Sequence, residues 1–285
     1  MANSWLDGRL VEGKIPLDPS DRGLTLGDGL FETIAVFNRN PAYLEAHLDR
    51  LANGAEQLGI EVSRAFIESG VFQLLADHGV PNGILRITIT RGSGARGLAS
   101  PGSHATVLIT LLAWQKGTLN AAVRLATSSI RRNEHSPASR LKTLSYMDCI
   151  LAAREAARAG VDDALLINTA GRIACSTIAN VFVVTGPSLL TPPISEGVLP
   201  GIIRGRVLGL ARAVELAADE RPVSIAELMS ADAVFLTNSI RLVRPVTAID
   251  GDPAPQSATE QVRRLFAKLC DEIADQSGEL DFLEL

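Results

Sequence analysis

The sequence predicts an α+β fold in two domains, and three observations carry that expectation. Two β-branched runs, residues 84–90 and 106–110, are joined by a glycine-rich connection. Two helical patterns, residues 44–58 and 66–78, precede them in the same stretch, so strands and helices are mixed within one unit. The polar stretch Gln115-Lys116-Gly117-Thr118 then reads as a linker, dividing a smaller domain over residues 1–114 from a larger one over residues 120–285, with 115–119 between them. A chain of 285 residues suffices for two modest domains, each able to bury a core.

In chain order, residues 33–37 read as a strand. Leu44, Leu48, Leu51, Ala55 and Leu58 recur at helical spacing, which makes 44–58 an amphipathic helix. Residues 66–78 form a second helix, closed by Gly79. In the second half, residues 122–126 read as a strand and 128–139 as a polar loop. An alanine-rich helix over 146–159 ends at Gly160. Residues 164–167 and 181–184 read as strands around the turn Thr169-Ala170-Gly171. A helix over 201–218, a strand over 233–237 and a terminal helix over 258–274 complete the pattern, without repeats or low-complexity tracts.

Composition excludes several classes. The net charge is −5, and Arg131-Arg132 is too short to make a basic stripe, so no nucleic-acid partner is expected. Aromatic residues make up 4%, too few for a base-stacking surface. No run approaches the roughly 18 apolar residues of a membrane span; residues 107–114 come nearest and read as a strand. No secretory leader is visible, and the three cysteines, at 149, 175 and 270, lack a CxxC spacing. These features predict a soluble, cytoplasmic protein without a membrane partner.

Gly92-Ser93-Gly94-Ala95-Arg96-Gly97 matches the dinucleotide fingerprint G-x-G-x-x-G, but Pro101 and Gly102 follow where a helix is required. No acidic residue occurs between Gly97 and Asn133. A substrate-facing loop is the better expectation, because Arg91 and Arg96 offer cations for a carboxylate. No G-x-S-x-G elbow is present, and His47, His78, His104 and His135 lack metal-ligand spacing, so no metal site is expected. His47 falls in the middle of a helix and reads as structural.

There are four lysines: Lys14, Lys116, Lys142 and Lys268. Lys14 and Lys116 adjoin glycines in turn-like stretches, and Lys268 lies on the terminal helix. Lys142 stands where a polar loop meets an apolar helix. A lysine that forms a Schiff base must be desolvated enough to lose its proton part of the time, and a junction can provide that.

Six motifs in order resemble the class IV, or fold type IV, aminotransferases. They are Asp21-Arg22-Gly23-Leu24-Thr25-Leu26-Gly27-Asp28-Gly29-Leu30-Phe31-Glu32-Thr33, Glu45-Ala46-His47-Leu48-Asp49-Arg50-Leu51, Leu141-Lys142-Thr143-Leu144-Ser145-Tyr146, Asn180-Val181-Phe182, Leu199-Pro200-Gly201-Ile202-Ile203-Arg204 and Phe235-Leu236-Thr237-Asn238-Ser239. The resemblance implies a two-domain fold, with a smaller N-terminal α/β domain and a larger, barrel-like C-terminal domain with helices. It implies pyridoxal 5'-phosphate as cofactor, a small amine or amino-acid substrate and a homodimer. Lys142 would carry the cofactor as an internal aldimine and then move the substrate proton. Arg50, the backbone of Ile202 and Ile203, and Ser239 would hold the phosphate. Tyr146 would border the cofactor.

One position departs from the family. The glutamate that usually pairs with the pyridine nitrogen is replaced by Cys175. A carboxylate keeps that nitrogen protonated; a thiol does so only when ionised. Cys175 is either a tolerated substitution or a weakening of the electron sink, and a catalytically impaired cofactor-binding homologue is a third reading.

Within the family, branched-chain aminotransferases resemble the chain least, since their lysine-to-tyrosine spacing is one longer than Lys142 to Tyr146. The carboxylate trap of D-amino-acid aminotransferases falls on Phe31, Arg96 and Leu98, of which only the arginine is kept. Aminodeoxychorismate lyases favour Arg-Gly-Ser-Gly-x-Arg-Gly and Thr-Asn-Ser, which match residues 91–97 and 237–239. The resemblance therefore implies conversion of 4-amino-4-deoxychorismate to p-aminobenzoate and pyruvate, with Phe31, Arg91, Arg96, Leu98 and Asn238 facing the substrate. Transamination of D-amino acids or (R)-amines is the alternative.

Overall fold

The computed structural model describes residues 4–100, 102, 104–114, 119–278 and 280. The expected linker at 115–118, with Lys116, and Pro101 of the glycine-rich loop lie outside the described residues. The chain forms two compact units, the first Met1–Gln115, Leu141–Ser145 and Gln276–Leu280, the second Lys116–Arg140, Tyr146–Asp275 and Asp281–Leu285.

The first unit begins with β1 (Ser4–Leu6), β2 (Arg9–Val11), α1 (Arg22–Leu26), β3 (Gly29–Phe37) and β4 (Asn40–Pro41). It continues with α2 (Leu44–Leu58), α3 (Arg64–Asp77), β5 (Gly83–Thr90) and β6 (Thr106–Ala113). The strands make one antiparallel sheet in the order β2-β1-β6-β5-β3-β4. Alternation along each strand decides its two faces. Leu30, Ile34 and Val36 of β3, Leu85, Ile87 and Ile89 of β5, and Val107, Ile109 and Leu111 of β6 form one core with Leu44, Leu48 and Leu51 of α2 and Ile67, Val71 and Leu74 of α3. Each such side chain contributes roughly 1.5–3 kcal/mol by leaving water. The other face carries Phe31, Thr33, Arg86 and Thr88.

Residues 141–145 join this unit rather than the second, because they add to the edge of β3. Phe31 N donates to Lys142 O and Leu144 N donates to Gly29 O, both at 2.9 Å, with Leu30 and Thr143 forming a bridge. Gly29 is needed there. A Cβ would lie 2.3 Å from the Ile89 carbonyl and 2.8 Å from Leu144 Cδ1.

The second unit contains β7 (Val123–Arg132), α4 (Met147–Arg158), β8 (Asp163–Asn168), β9 (Ile173–Ser176), β10 (Asn180–Thr185), β11 (Ser188–Thr191) and α5 (Ile202–Leu210). It continues with β12 (Ala217–Glu220), α6 (Ile225–Met229), β13 (Ala233–Asn238), β14 (Leu242–Ile249), β15 (Asp252–Pro253) and α7 (Thr259–Ser277). Strands β10, β13, β14, β7, β8 and β9 follow one another, and β9 pairs back to β10 through Cys175 and Asn180, closing a mixed barrel. Val123, Leu125, Leu165, Val181, Val183, Val234, Leu236 and Val246 fill a common core. Ala152 and Ala156 of α4 pack against Ala164 and Leu166 of β8, and the three alanines let helix and strand approach closely.

The architecture is the α+β, fold type IV arrangement that the motifs imply. Three local expectations change. Strand β7 runs on to Arg132 through the stretch expected to be loop, because Ser128 and Ser129 donate to Glu155 of α4 and Ser129 N does the same. The helix expected over 201–218 ends at Leu210; Glu215 turns left-handed (φ 64°) and the chain leaves as β12, parallel to β11. Strands β9 and β14 were not expected at all, the first because four residues carry too little periodicity, the second because Pro245 interrupts its pattern.

Candidate active site

Lys142 is half-buried, and its Nζ lies 4.3 Å from the centre of the Phe31 ring. Phe31 is 7% exposed and is also contacted by the Arg86 guanidinium, whose carbon lies 3.9 Å from the ring centre. Arg86 stands diagonal to Phe31 across the β3–β5 register, since Thr33 is its direct partner. An amine, an aromatic surface and a guanidinium thus share the face of the sheet turned away from α2 and α3.

The opposite face carries charge into the core. Arg50 donates from Nε to Glu32 Oε1 at 2.7 Å and from Nη2 to Oε2 at 2.6 Å, a bidentate pair. His47 Nδ1 meets the same Oε2 at 2.7 Å. Burial alone would raise the Glu32 carboxyl, but the His47 hydrogen bond and the charge and hydrogen bonds of Arg50 outweigh it and hold Glu32 at about 2. Burial pushes His47 below the usual imidazole value despite the carboxylate beside it. An ionised carboxylate only accepts, so neutral His47 donates from Nδ1, and its Nε2 is buried without a hydrogen-bond partner. Glu32 and His47 are absent from the sequence-derived site. The i, i+3 spacing of His47 and Arg50 was the available signal.

Arg91 is held within its own unit. It donates from Nε and Nη2 to Asp28, from Nη2 to Leu58 O and from Nη1 to Gly59 O. All three nitrogens are engaged by the protein, so Arg91 ties the end of β5 to the end of α2. Asp28 is shared with Arg22, whose other nitrogens hold Gly97 O at 2.8 Å and Leu98 O at 2.9 Å. Burial alone would raise Asp28, and the two arginines hold it below the carboxylate range. The loop after β5 is therefore clamped at 97–98, and among the described residues no helix follows the G-x-G-x-x-G match. Arg96 is exposed on it, and Leu98 is 84% exposed.

In the second unit, Tyr146 caps the start of α4. Cys175 lies on β9 beside the Ala152, Ala156, Ala164 and Leu166 cluster. It is half-buried, yet desolvation pushes its thiol up to about 12, against which the Arg132 charge does little. The thiol is poorly solvated and neutral at ordinary pH. Ile202 and Ile203 open α5, whose N-cap is Gly201 and has no side-chain cap. A Cβ at Gly201 would fall 2.0 Å from Asn180 Oδ1, while Asn180 Nδ2 donates to Leu199 O at 2.9 Å. Thr237, paired with Asn180 across β10 and β13, has a buried hydroxyl without a partner. Asn238 Oδ1 accepts from Ile240 N and Arg241 N. It shapes the turn carrying Ser239, which reduces its case as a substrate contact.

Each unit carries chemistry that suits part of an anionic, phosphorylated aldehyde. In the first, Lys142 offers an amine and Arg50 a guanidinium. In the second, the start of α5 has no side-chain cap and the buried Thr237 hydroxyl has no partner, so both offer neutral donors. Cys175 fits as a neutral hydrogen-bonding partner and not as an anion. Among the described residues, no group of three metal-binding side chains occurs, and no helix is long and apolar enough to cross a membrane.

The expected site residues are divided between the units, with Lys142 and Arg50 in the first and Tyr146, Cys175, the start of α5 and Ser239 in the second. The chain belongs to the Amino-transferase class IV family, whose profile matches residues 29–249, and the family is pyridoxal-phosphate dependent. The aminodeoxychorismate lyase of Bacillus subtilis (strain 168) is 29% identical over 284 residues, 96% of this chain and 97% of that one. A Methanocaldococcus jannaschii protein, provisionally named a branched-chain-amino-acid aminotransferase, is 32% identical over 255 residues, 87% of this chain and 88% of that one. The crystal structure of 4-amino-4-deoxychorismate lyase from Pseudomonas aeruginosa superposes with a TM-score of 0.84 at 32% identity, covering 94% of this chain and 98% of that one. Branched-chain aminotransferases are thus as similar as the lyases, contrary to the ranking drawn from lysine-to-tyrosine spacing. A one-residue spacing is a weaker signal than similarity along the whole chain.

Proposed function

We propose that the protein is a homodimeric, pyridoxal-phosphate-dependent lyase that converts 4-amino-4-deoxychorismate to p-aminobenzoate and pyruvate. The observation that carries this reading is the Lys142 amine set 4.3 Å from the Phe31 ring, with Arg86 against the same ring. A flat carbocyclic substrate with carboxylates suits an aromatic surface flanked by cations. Similarity to lyases over nearly the full chain supports it.

Bound pyridoxal phosphate supplies an electron sink conjugated to the substrate nitrogen. Lys142 would hold that group through its Nζ and, when released from it, would take the proton from the substrate ring carbon bearing the nitrogen. The same amine would return a proton as pyruvate departs. Positioned proton transfer of this kind contributes about 10²–10⁴-fold. Arg50, Ile202, Ile203, Ser239 and, newly, Thr237 are the phosphate donors in this reading. Arg86 and Arg96 meet the substrate carboxylates, and Tyr146 borders the ring.

The second reading is a class IV aminotransferase acting on D-amino acids, (R)-amines or, given the archaeal relative, branched-chain amino acids. A neutral thiol at Cys175 supports a weaker sink, which handicaps transamination more than a reaction whose leaving group carries the electrons away, and a catalytically impaired homologue is its extreme. Incubation with aminodeoxychorismate and no keto acid decides between them. The lyase reading expects equal amounts of pyruvate and p-aminobenzoate; an absolute requirement for an amino acceptor overturns it.

A further inference from the structure

The buried Glu32–His47 pair has no place in the chemistry above, and its setting is costly. Strand β3 turns Leu30, Ile34 and Val36 toward α2 on the same face as Glu32, and those neighbours belong to an apolar core. Glu32 and His47 are each 1% exposed. A buried charged network, here the Glu32 carboxylate with Arg50 and the neutral His47, is often no more stabilising than apolar residues of the same volume. His47 also leaves Nε2 buried without a partner, a cost that an aliphatic side chain at that position would avoid. Stability does not explain the arrangement.

Geometry does. A guanidinium is planar, so two parallel hydrogen bonds on its Nε–Nη2 edge fix both its plane and the direction of its Nη1 edge. Glu32 makes both bonds. His47, by donating to Oε2, fixes the carboxylate that fixes the arginine. The Arg50 side chain is 13% exposed, so the orientation is imposed at the boundary between core and solvent. All three side chains lie on β3 and α2. Gly54 holds those two elements close, since a Cβ there would lie 2.9 Å from Leu30 Cδ1.

We infer that Glu32 and His47 are positioning residues that orient the Arg50 guanidinium toward a phosphate monoester. The inference rests on the reading of Arg50 as a phosphate ligand. It adds that this ligand is preset by a buried carboxylate–imidazole couple rather than recruited by the anion. A preset donor loses less freedom on binding, so the couple acts on discrimination for the phosphate group and not on affinity for the pyridine ring.

The test uses the cofactor-stripped full chain, titrated with pyridoxal 5'-phosphate and with pyridoxal and followed by visible absorbance. The readout is the ratio of the two dissociation constants, together with the ³¹P shift of the bound phosphate. Arg50→Lys lowers the ratio if Arg50 binds phosphate. Glu32→Gln, which keeps volume but loses the charge and one acceptor, lowers it by about tenfold to a hundredfold and moves the ³¹P shift, with pyridoxal affinity unchanged. His47→Leu lowers it less, and His47→Asn, whose amide nitrogen takes the place of Nδ1, restores it. If Arg50→Lys leaves the ratio unchanged, the phosphate role of Arg50 fails and the inference with it. If Arg50→Lys lowers the ratio while Glu32→Gln and His47→Leu do not, the positioning inference alone fails. A loss shared equally by pyridoxal and its phosphate in Glu32→Gln marks a merely structural role and also overturns it. Thermal denaturation confirms that each variant is folded. If Glu32→Gln does not fold, the His47 pair of variants decides.

Discussion

Glu32 and Cys175 are both poorly solvated titratable groups, and they end in opposite states. Glu32 is 1% exposed but held at about 2, because Arg50 and His47 face it. Cys175 keeps some exposure but is pushed up to about 12, because its neighbours are alanine and leucine side chains and the one opposing charge, Arg132, is a weak influence. Loss of water neutralises a group unless hydrogen-bonded countercharge replaces the water. The first unit supplies that countercharge and the second does not, so one element presents a permanent ion network and the other a neutral thiol.

The contrast can be broken most severely at Glu32. Glu32→Ala removes one partner of a buried pair and is expected to cost about 3–5 kcal/mol in chemical denaturation; a loss below about 1 kcal/mol would mean the network is not holding its charge. Next in size is the thiol. In a Cys149→Ser, Cys270→Ser background, alkylation of Cys175 at pH 8 should run roughly a thousandfold slower than that of an unperturbed thiol, and accelerate with pH. Labelling at an ordinary rate would place the thiol back in its usual range. Acid comes third. The folded value of Glu32 lies below its ordinary 4.5, so its contribution is complete above pH 4.5 and is lost as pH falls from there toward about 2. Wild type should lose roughly 3 kcal/mol more than Glu32→Gln over that window, measured by urea midpoints at each pH. The smallest effect is steric. Gly29→Ala drives a Cβ against the Ile89 carbonyl and the Leu144 side chain, and should cost about 1–3 kcal/mol while loosening the 141–145 segment in hydrogen exchange.

Much of the fold was legible because it rests on periodicity. The 44–58 helix coincides with α2, and the β-branched runs fall within β5 and β6. What escaped depends on contacts distant in sequence. No local pattern reveals that residues 141–145 leave the second half of the chain to pair with β3, or that a four-residue strand closes a barrel through one pairing. The candidate site divides the same way. Lys142 stood out by its junction, whereas nothing local shows that Arg91 is held by Asp28 and the Leu58 and Gly59 carbonyls. His47 read as structural because its partner, Glu32, is fifteen positions away on another element.

Most directly, the account can be tested by borohydride reduction of the purified protein, followed by peptide mapping. A pyridoxyl adduct confined to the peptide containing Lys142 is the expected result. An adduct on Lys14, Lys116 or Lys268 instead, or none on protein saturated with pyridoxal phosphate, would contradict it.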